Sequence, residues 1–417
     1  MPAHKGVSLL GCEQGDITEI SGADSLYQAS GIIKQSEQNA QELFGCESFY
    51  STEGSSHCIR AMLYLLKSYG VTRFIAARNS HSVFLTACGL LNIDPIWLYG
   101  EGESYLSCNF SLESLEALLK EGGEKTALYI TSPDYLGNIC DIAAVSRLCK
   151  QYGAVLCVDC AHGAYLKFLC ESAYPTDLGA DICCSSAHKT LPVLTGGAYL
   201  HIANDAPSFF SENARNALSL FGSTSPSYLI LQSLDQANAY IENKFISSLR
   251  AFIPQVNALK AELLKNGFTL YGQEPLKLTL FTKPYGYYGA ELAKKLEESR
   301  IFCEFADNDC IVFMLSPLNS ESLTLLKASL LSVEKRQPIT EPAPTVTRGE
   351  RVLSLSEAIF TQSERVDPKG ANGRVLAQAS VSCPPAVPIA VCGERITENA
   401  VKCFEYYGIS EISVVKQ

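Results

Sequence analysis

The sequence predicts an α/β fold: a large domain on a mostly parallel sheet, with a smaller α+β domain after it. Three observations carry this. Between Val71 and His201, short β-branched runs alternate with amphipathic stretches, the pattern of βαβ units buried on both sheet faces. The chain is 417 residues long, 47% hydrophobic and only 18% charged, against roughly 25% charged in average soluble proteins, so it can bury a large core. Finally, Pro338, Pro342 and Pro344 fall among polar residues between Lys335 and Arg351, which reads as an extended linker.

Taken in order, the strand candidates of the large domain are Val71–Ala77, Pro95–Tyr99, Thr126–Thr131, Ala154–Val158, Asp181–Ser185 and Gly197–Ile202. Helical periodicity covers Cys58–Tyr69, Ser82–Leu91, Leu112–Glu121 and Ile142–Tyr152, with Ser111 placed to cap the third. A helical stretch from Leu229 to Arg250 leads to a second unit, with a helix at Asn257–Asn266, strands near Leu276–Phe281 and Ile311–Leu315, and a helix at Gly289–Ser299. The expected division is therefore residues 1–250 for the large domain, 251–334 for the small one, and 335–417 for the linker and a C-terminal segment.

Lys plus Arg number 33 and Asp plus Glu 44, a net charge of −11 that disfavours nucleic acid and anionic lipid as partners. The 17 cysteines follow no regular spacing. The N-terminus has no apolar leader, and no run approaches the roughly 18 apolar residues of a membrane span. Reduced, mostly buried thiols and a cytoplasmic location are expected.

Ligands of such sheets bind beyond the carboxyl ends of the strands. One strand exits into Asp159-Cys160-Ala161-His162-Gly163, and another into Ser186-Ala187-His188-Lys189-Thr190. Upstream, Glu53-Gly54-Ser55-Ser56-His57 precedes a helix, and small residues at a helix start suit a phosphate. No lysine follows the glycine at the spacing of a nucleotide-binding P-loop. The three pieces complement pyridoxal phosphate, which needs a lysine for the Schiff base, a carboxylate against the ring nitrogen and a phosphate cradle. Lys189, Asp159 and Gly54–Ser56 can fill these roles.

The segment Ala180–His201, with Ser186-Ala187-His188-Lys189-Thr190 at its centre, resembles the cofactor-lysine signature of the Orn/Lys/Arg decarboxylases. The likeness continues at Met1–Gly6, at Asp16–Glu19 with Gly22–Leu26, at Arg78-Asn79-Ser80-His81, at Thr131–Gly137, at Ser223–Tyr228, and at Pro384–Pro388 with Gly393-Glu394. The resemblance implies fold type I, the architecture of the aspartate aminotransferases, with a mainly parallel seven-stranded sheet. It implies Lys189 as the Schiff-base lysine, Asp159 on the pyridinium nitrogen, and Ser55, Ser56, Ser186 and His188 around the phosphate. It places His81 on the ring face and His162 near the ring hydroxyl. Thr224 and Ser225 would reach the site of a neighbouring subunit, so a homodimer or larger homo-oligomer is expected. No metal is called for.

The implied reaction is decarboxylation of a basic amino acid, arginine slightly ahead of lysine and ornithine, with Lys189 and then His81 as candidates to return a proton to Cα. Polyamine synthesis is the expected context. The alternatives are another pyridoxal phosphate reaction, such as transamination with Arg300 as carboxylate anchor, or a cofactor-binding regulatory homologue that does not decarboxylate. Departures from the family pattern stand at Ala3, Ser82-Val83, Cys160, Tyr165, Ala187, Gly196, Cys383, Ala386 and Cys392, several of them where substrate would be read. The family's N-terminal arm is expected to be absent. Several other features have plainer readings. Cys157-x-x-Cys160-x-His162 imitates a zinc spacing but reads as packing, as do Cys183-Cys184 and Trp97. His4 and Lys5 read either as closing over the site or as an ordered terminus, and Glu304 either as meeting a cationic substrate from one or other subunit or, equally, as lying on a solvated face.

Overall fold

The computed structural model describes residues 2–100, 109–122, 125–383 and 387–417. Met1 of the first resembling block and Pro384-Pro385-Ala386 of the last lie outside the described residues. The chain forms two compact units, one of residues 1–75, 112–132 and 141–247, the other of 76–111, 133–140 and 248–417.

The first half of the chain runs α1 (Ile32–Phe44), β1 (Glu47–Ser51), α2 (Gly54–Ser68), β2 (Arg73–Ala77), α3 (Ser82–Leu91), β3 (Ile96–Leu98), α4 (Leu112–Lys120), β4 (Thr126–Thr131), α5 (Ile142–Gln151), β5 (Val155–Asp159), β6 (Ile182–Ser185), α6 (Ala187–Thr190) and β7 (Ala198–Ile202). The seven strands form one sheet in the order β1-β7-β6-β5-β4-β2-β3. β4, β5 and β6 are parallel, and their residues are buried nearly throughout, as continuous apolar runs predict. β7 runs antiparallel to both β6 and β1. Its connection from β6 holds only the four-residue α6, too little helix to cross the sheet and return in parallel. The fold is thus the mixed α/β architecture expected, with a seven-stranded, mainly parallel sheet.

α3 and β4 have the bounds that periodicity predicts. α2 begins four residues earlier than its apolar period, because Gly54, Ser55 and Ser56 already form its first turn. Gly54 enters that turn at φ 73°, a conformation that favours glycine.

After β7 come α7 (Ser208–Ser219), α8 (Tyr228–Tyr240), a π-helical turn at Ile241–Phe245, and the 20-residue α9 (Ile246–Lys265). Asn257–Asn266, expected as a separate helix, is the latter part of α9. The helix runs on through Pro254.

Then follow β8 (Thr269–Tyr271), β9 (Lys277–Phe281), α10 (Gly289–Glu297), β10 (Phe305–Ala306), β11 (Cys310–Met314) and α11 (Glu321–Leu331). The strands make an antiparallel four-stranded sheet in the order β10-β11-β9-β8. Residues 334–350 hold no regular element, as the prolines predict. The chain ends with α12 (Leu355–Phe360), β12 (Ser363–Val366), β13 (Ser380–Cys383), β14 (Val387–Val391), α13 (Glu398–Tyr406) and β15 (Ile412–Val415). Phe404, Leu376, Ile389 and Val414 of this segment share one core with Phe305 and Val312 of the small sheet.

Within the second unit, the Arg78 guanidinium meets the Glu394 carboxylate at 2.7 Å, with both side chains almost wholly buried. The same carboxylate accepts from the Val391 backbone N–H at 3.0 Å. Two of the resembling blocks are thereby tied to each other by a structural ion pair. Removing one member of a buried pair strands the other charge. Glu394→Ala should destabilise the protein by about 3–5 kcal/mol in chemical denaturation; a loss within experimental error would mean the pair is not buried in solution.

Candidate active site

The parallel register sets up the site. Thr131 of β4 pairs with Asp159 of β5, and Asp159 pairs with Cys184 of β6, so three side chains on one rung share a sheet face. Asp159 is the last residue of β5 and is 2% exposed. Its Oδ1 accepts from the Ala161 N–H at 3.1 Å and from the Cys184 thiol at 3.7 Å, and its Oδ2 from the Tyr129 hydroxyl at 3.2 Å. Burial pushes the Cys184 thiol well above its ordinary pKa, with the neighbouring Asp159 charge adding to the effect, so it stays an S–H donor. Among the described residues no cation pairs with Asp159.

Lys189 lies on α6, one short turn beyond β6, and its Nζ is 2.8 Å from His162 Nε2. His162 follows Asp159 by three residues and is 6% exposed. Ser186 donates its hydroxyl hydrogen bond to Ser55 at 2.8 Å, and both side chains are buried. That bond joins the start of α6 to the first turn of α2, where Ser56 is half-buried. His188 turns its Nδ1–H to the Gly197 carbonyl at 3.0 Å, and burial lowers its pKa, so the neutral ring is favoured. His57 is a structural histidine. Its Nε2–H donates to the Leu218 carbonyl at 2.7 Å, its Nδ1 sits 2.8 Å from the Ser51 hydroxyl, and burial lowers its pKa.

The structure thus pairs Lys189 with His162 and Ser55 with Ser186, and sets Asp159 at the strand end. His81 belongs to the second compact unit, where its Nδ1 caps α3 by accepting from the Val83 N–H at 3.2 Å. Thr224 and Ser225 are exposed on the loop before α8. Arg300 is exposed just past α10, at φ 57°. Cys160 and Tyr165 are fully buried. Gly196 stands at φ 101°, and a Cβ there would lie 2.6 Å from the Thr52 carbonyl oxygen. Its own carbonyl accepts from the Gly54 N–H at 2.7 Å. Tyr129 and Cys184 carry no sequence motif: Cys184 reads as packing in isolation, and only strand register brings either to Asp159.

This donor set fits pyridoxal phosphate. A buried carboxylate without a counter-cation suits a protonated ring nitrogen. Hydroxyls gather at the start of a 15-residue helix, where a phosphate is favoured. The Thr131 hydroxyl, on the same rung as Asp159, is buried without a hydrogen-bond partner among the described residues.

Comparison with known proteins places the chain. Residues 13–268 match the model of the Orn/Lys/Arg decarboxylase major domain. The uncharacterized protein YaaO of Bacillus subtilis is 30% identical over 411 residues, covering 93% of this chain and 84% of that protein. The arginine decarboxylase of Bacillus subtilis is 28% identical over 411 residues, covering 93% and 83%. Among solved structures, lysine decarboxylase A from Pseudomonas aeruginosa superposes with a TM-score of 0.80 at 18% identity, over 97% of this chain and 73% of that one. The chain therefore belongs to the Orn/Lys/Arg decarboxylase family and is a pyridoxal phosphate-dependent amino-acid decarboxylase of fold type I.

Proposed function

We propose that the protein decarboxylates arginine to its amine and carbon dioxide, in a cytoplasmic route to polyamines, with Lys189 and Asp159 at the centre of the reaction. The observation that carries the cofactor end of this reading is the buried Asp159 carboxylate with no cationic partner among the described residues. The preference for arginine rests on relatives named arginine decarboxylase at 26–28% identity over more than nine-tenths of the chain. A net charge of −11 favours a cationic substrate over an acidic one.

When bound, pyridoxal phosphate supplies an electron-withdrawing ring that takes up the electron pair left when a Cα–carboxylate bond breaks. Lys189 would hold it through Nζ, and Asp159 would keep the ring nitrogen protonated. Ser55, Ser56, Ser186 and His188 would hold the phosphate, and His162 would orient Lys189 through the 2.8 Å contact. After carbon dioxide leaves, Lys189 Nζ would return a proton to Cα, with His81 as the second candidate. Thr224 and Ser225, exposed in one chain, would serve the site of a second copy in a homodimer.

Purified protein with pyridoxal phosphate, offered arginine, lysine and ornithine separately, should release amine and carbon dioxide from arginine fastest. Faster release from lysine or ornithine would move the substrate. Lys189→Ala should lower turnover by at least roughly a thousandfold with its circular dichroism unchanged; retained turnover would exclude Lys189 from the chemistry. Gly196→Gln forces a side chain into a positive-φ position against the Thr52 carbonyl. It should cost about 1–3 kcal/mol of stability and weaken cofactor binding through the neighbouring Gly54 turn. Unchanged melting and cofactor affinity would show that this loop yields freely.

A further inference from the structure

Among the described residues the Asp159 carboxylate is held by neutral donors, and their arrangement is specific. Tyr129 lies two residues before Thr131 on β4, so it shares the face of the Thr131–Asp159–Cys184 rung. One flanking strand thus delivers a hydroxyl to Oδ2 at 3.2 Å, and the other delivers a thiol to Oδ1 at 3.7 Å. A carboxylate's terminal torsion is broad when left alone. A donor on each oxygen, from opposite sides, fixes its plane. A charged donor in either place would neutralise the carboxylate and compete with a protonated ring nitrogen, whereas a hydroxyl and a thiol hold it without doing so. Cys184 is 0% exposed, out of reach of solvent that could replace it as a donor.

We propose that Tyr129 and Cys184 are positioning residues that present the Asp159 carboxylate to the ring nitrogen of the cofactor, a role that rests on the reading of Asp159 given above. Both act through Asp159, so their effect must depend on the ring nitrogen itself.

That dependence is the test. Apoprotein of the wild type and of Tyr129→Phe, Cys184→Val and Cys184→Ser is titrated with pyridoxal phosphate, and separately with its analogue bearing carbon in place of the ring nitrogen. The ratio of the two dissociation constants is compared across the proteins. The wild type should bind pyridoxal phosphate the more tightly. The ratio should shrink about tenfold in Tyr129→Phe and about threefold in Cys184→Val, with affinity for the analogue little changed. Cys184→Ser, which keeps a donor, should retain the wild-type ratio. An unchanged or larger ratio in both Tyr129→Phe and Cys184→Val, or equal weakening with both compounds, overturns the positioning role and leaves the Asp159 reading standing. A wild-type ratio near one overturns the Asp159 reading itself, and the positioning role with it. Should Tyr129→Phe not fold, the Cys184 pair decides alone.

Discussion

A carboxylate at the end of a strand buried on both faces is the constraint around which the first unit is built. An unsatisfied anion in such a place costs several kcal/mol. β5 is apolar from Val155 to Val158 and ends on Asp159, so the charge sits where the chain leaves the core. The neighbouring strands must then supply donors without supplying charge. β4 offers Tyr129, β6 offers Cys184, and the backbone turns back to offer the Ala161 N–H. Lys189, on the short helix after β6, has its Nζ against His162. The carboxylate is thus solvated by neutral groups of the fold.

Buried thiols meet oxygens elsewhere too. Among the described residues they are free thiols, most of them buried. At Cys184 the thiol is a weak donor to a carboxylate. At Cys392 it donates to the carbonyls of Leu355 and Ala377, each at 3.6 Å, and burial pushes its pKa up to about 12. A thiol is small enough for a close-packed sheet and polar enough to meet an oxygen there. Reading Cys183-Cys184 as mere packing is therefore half the account: burial is what keeps Cys184 protonated, and protonation is what makes it a donor.

Much of the fold was legible because its periodicity is local. α3 and β4 could be bounded to the residue, and the proline-bearing stretch 334–350 is indeed without regular structure. The continuity of α9 from Arg250 to Asn257 was missed: a proline's cost at Pro254 is local, while the burial of Leu249, Phe252, Val256 and Leu259 along the helix is not. Short strands such as β8 and β10 leave too few residues to show a period. At the site, Asp159, Lys189 and Ser186 are legible from their order along the chain. Tyr129 is not, since its approach to Asp159 is a fact of strand register, 30 residues apart.

Departures from the family pattern divide along physical lines. Gly196 is required by its backbone: at φ 101°, with the Thr52 carbonyl where a Cβ would go, the chain can approach the first turn of α2 closely enough for the Gly54 N–H to reach the Gly196 carbonyl. A larger residue here would require a different course for this loop, matched by a change at Thr52 or Gly54. Arg78 and Glu394 show the converse. They stand in resembling blocks far apart in sequence, yet Arg78 Nη2 and the Glu394 carboxylate form a buried pair in the second unit, and the same carboxylate takes the Val391 N–H. Matching a family's pattern therefore marks a residue as placed, and only its partners say whether the placement serves chemistry or architecture. By that measure Asp159, buried with neutral donors and without a counter-charge among the described residues, has surroundings that architecture alone does not explain.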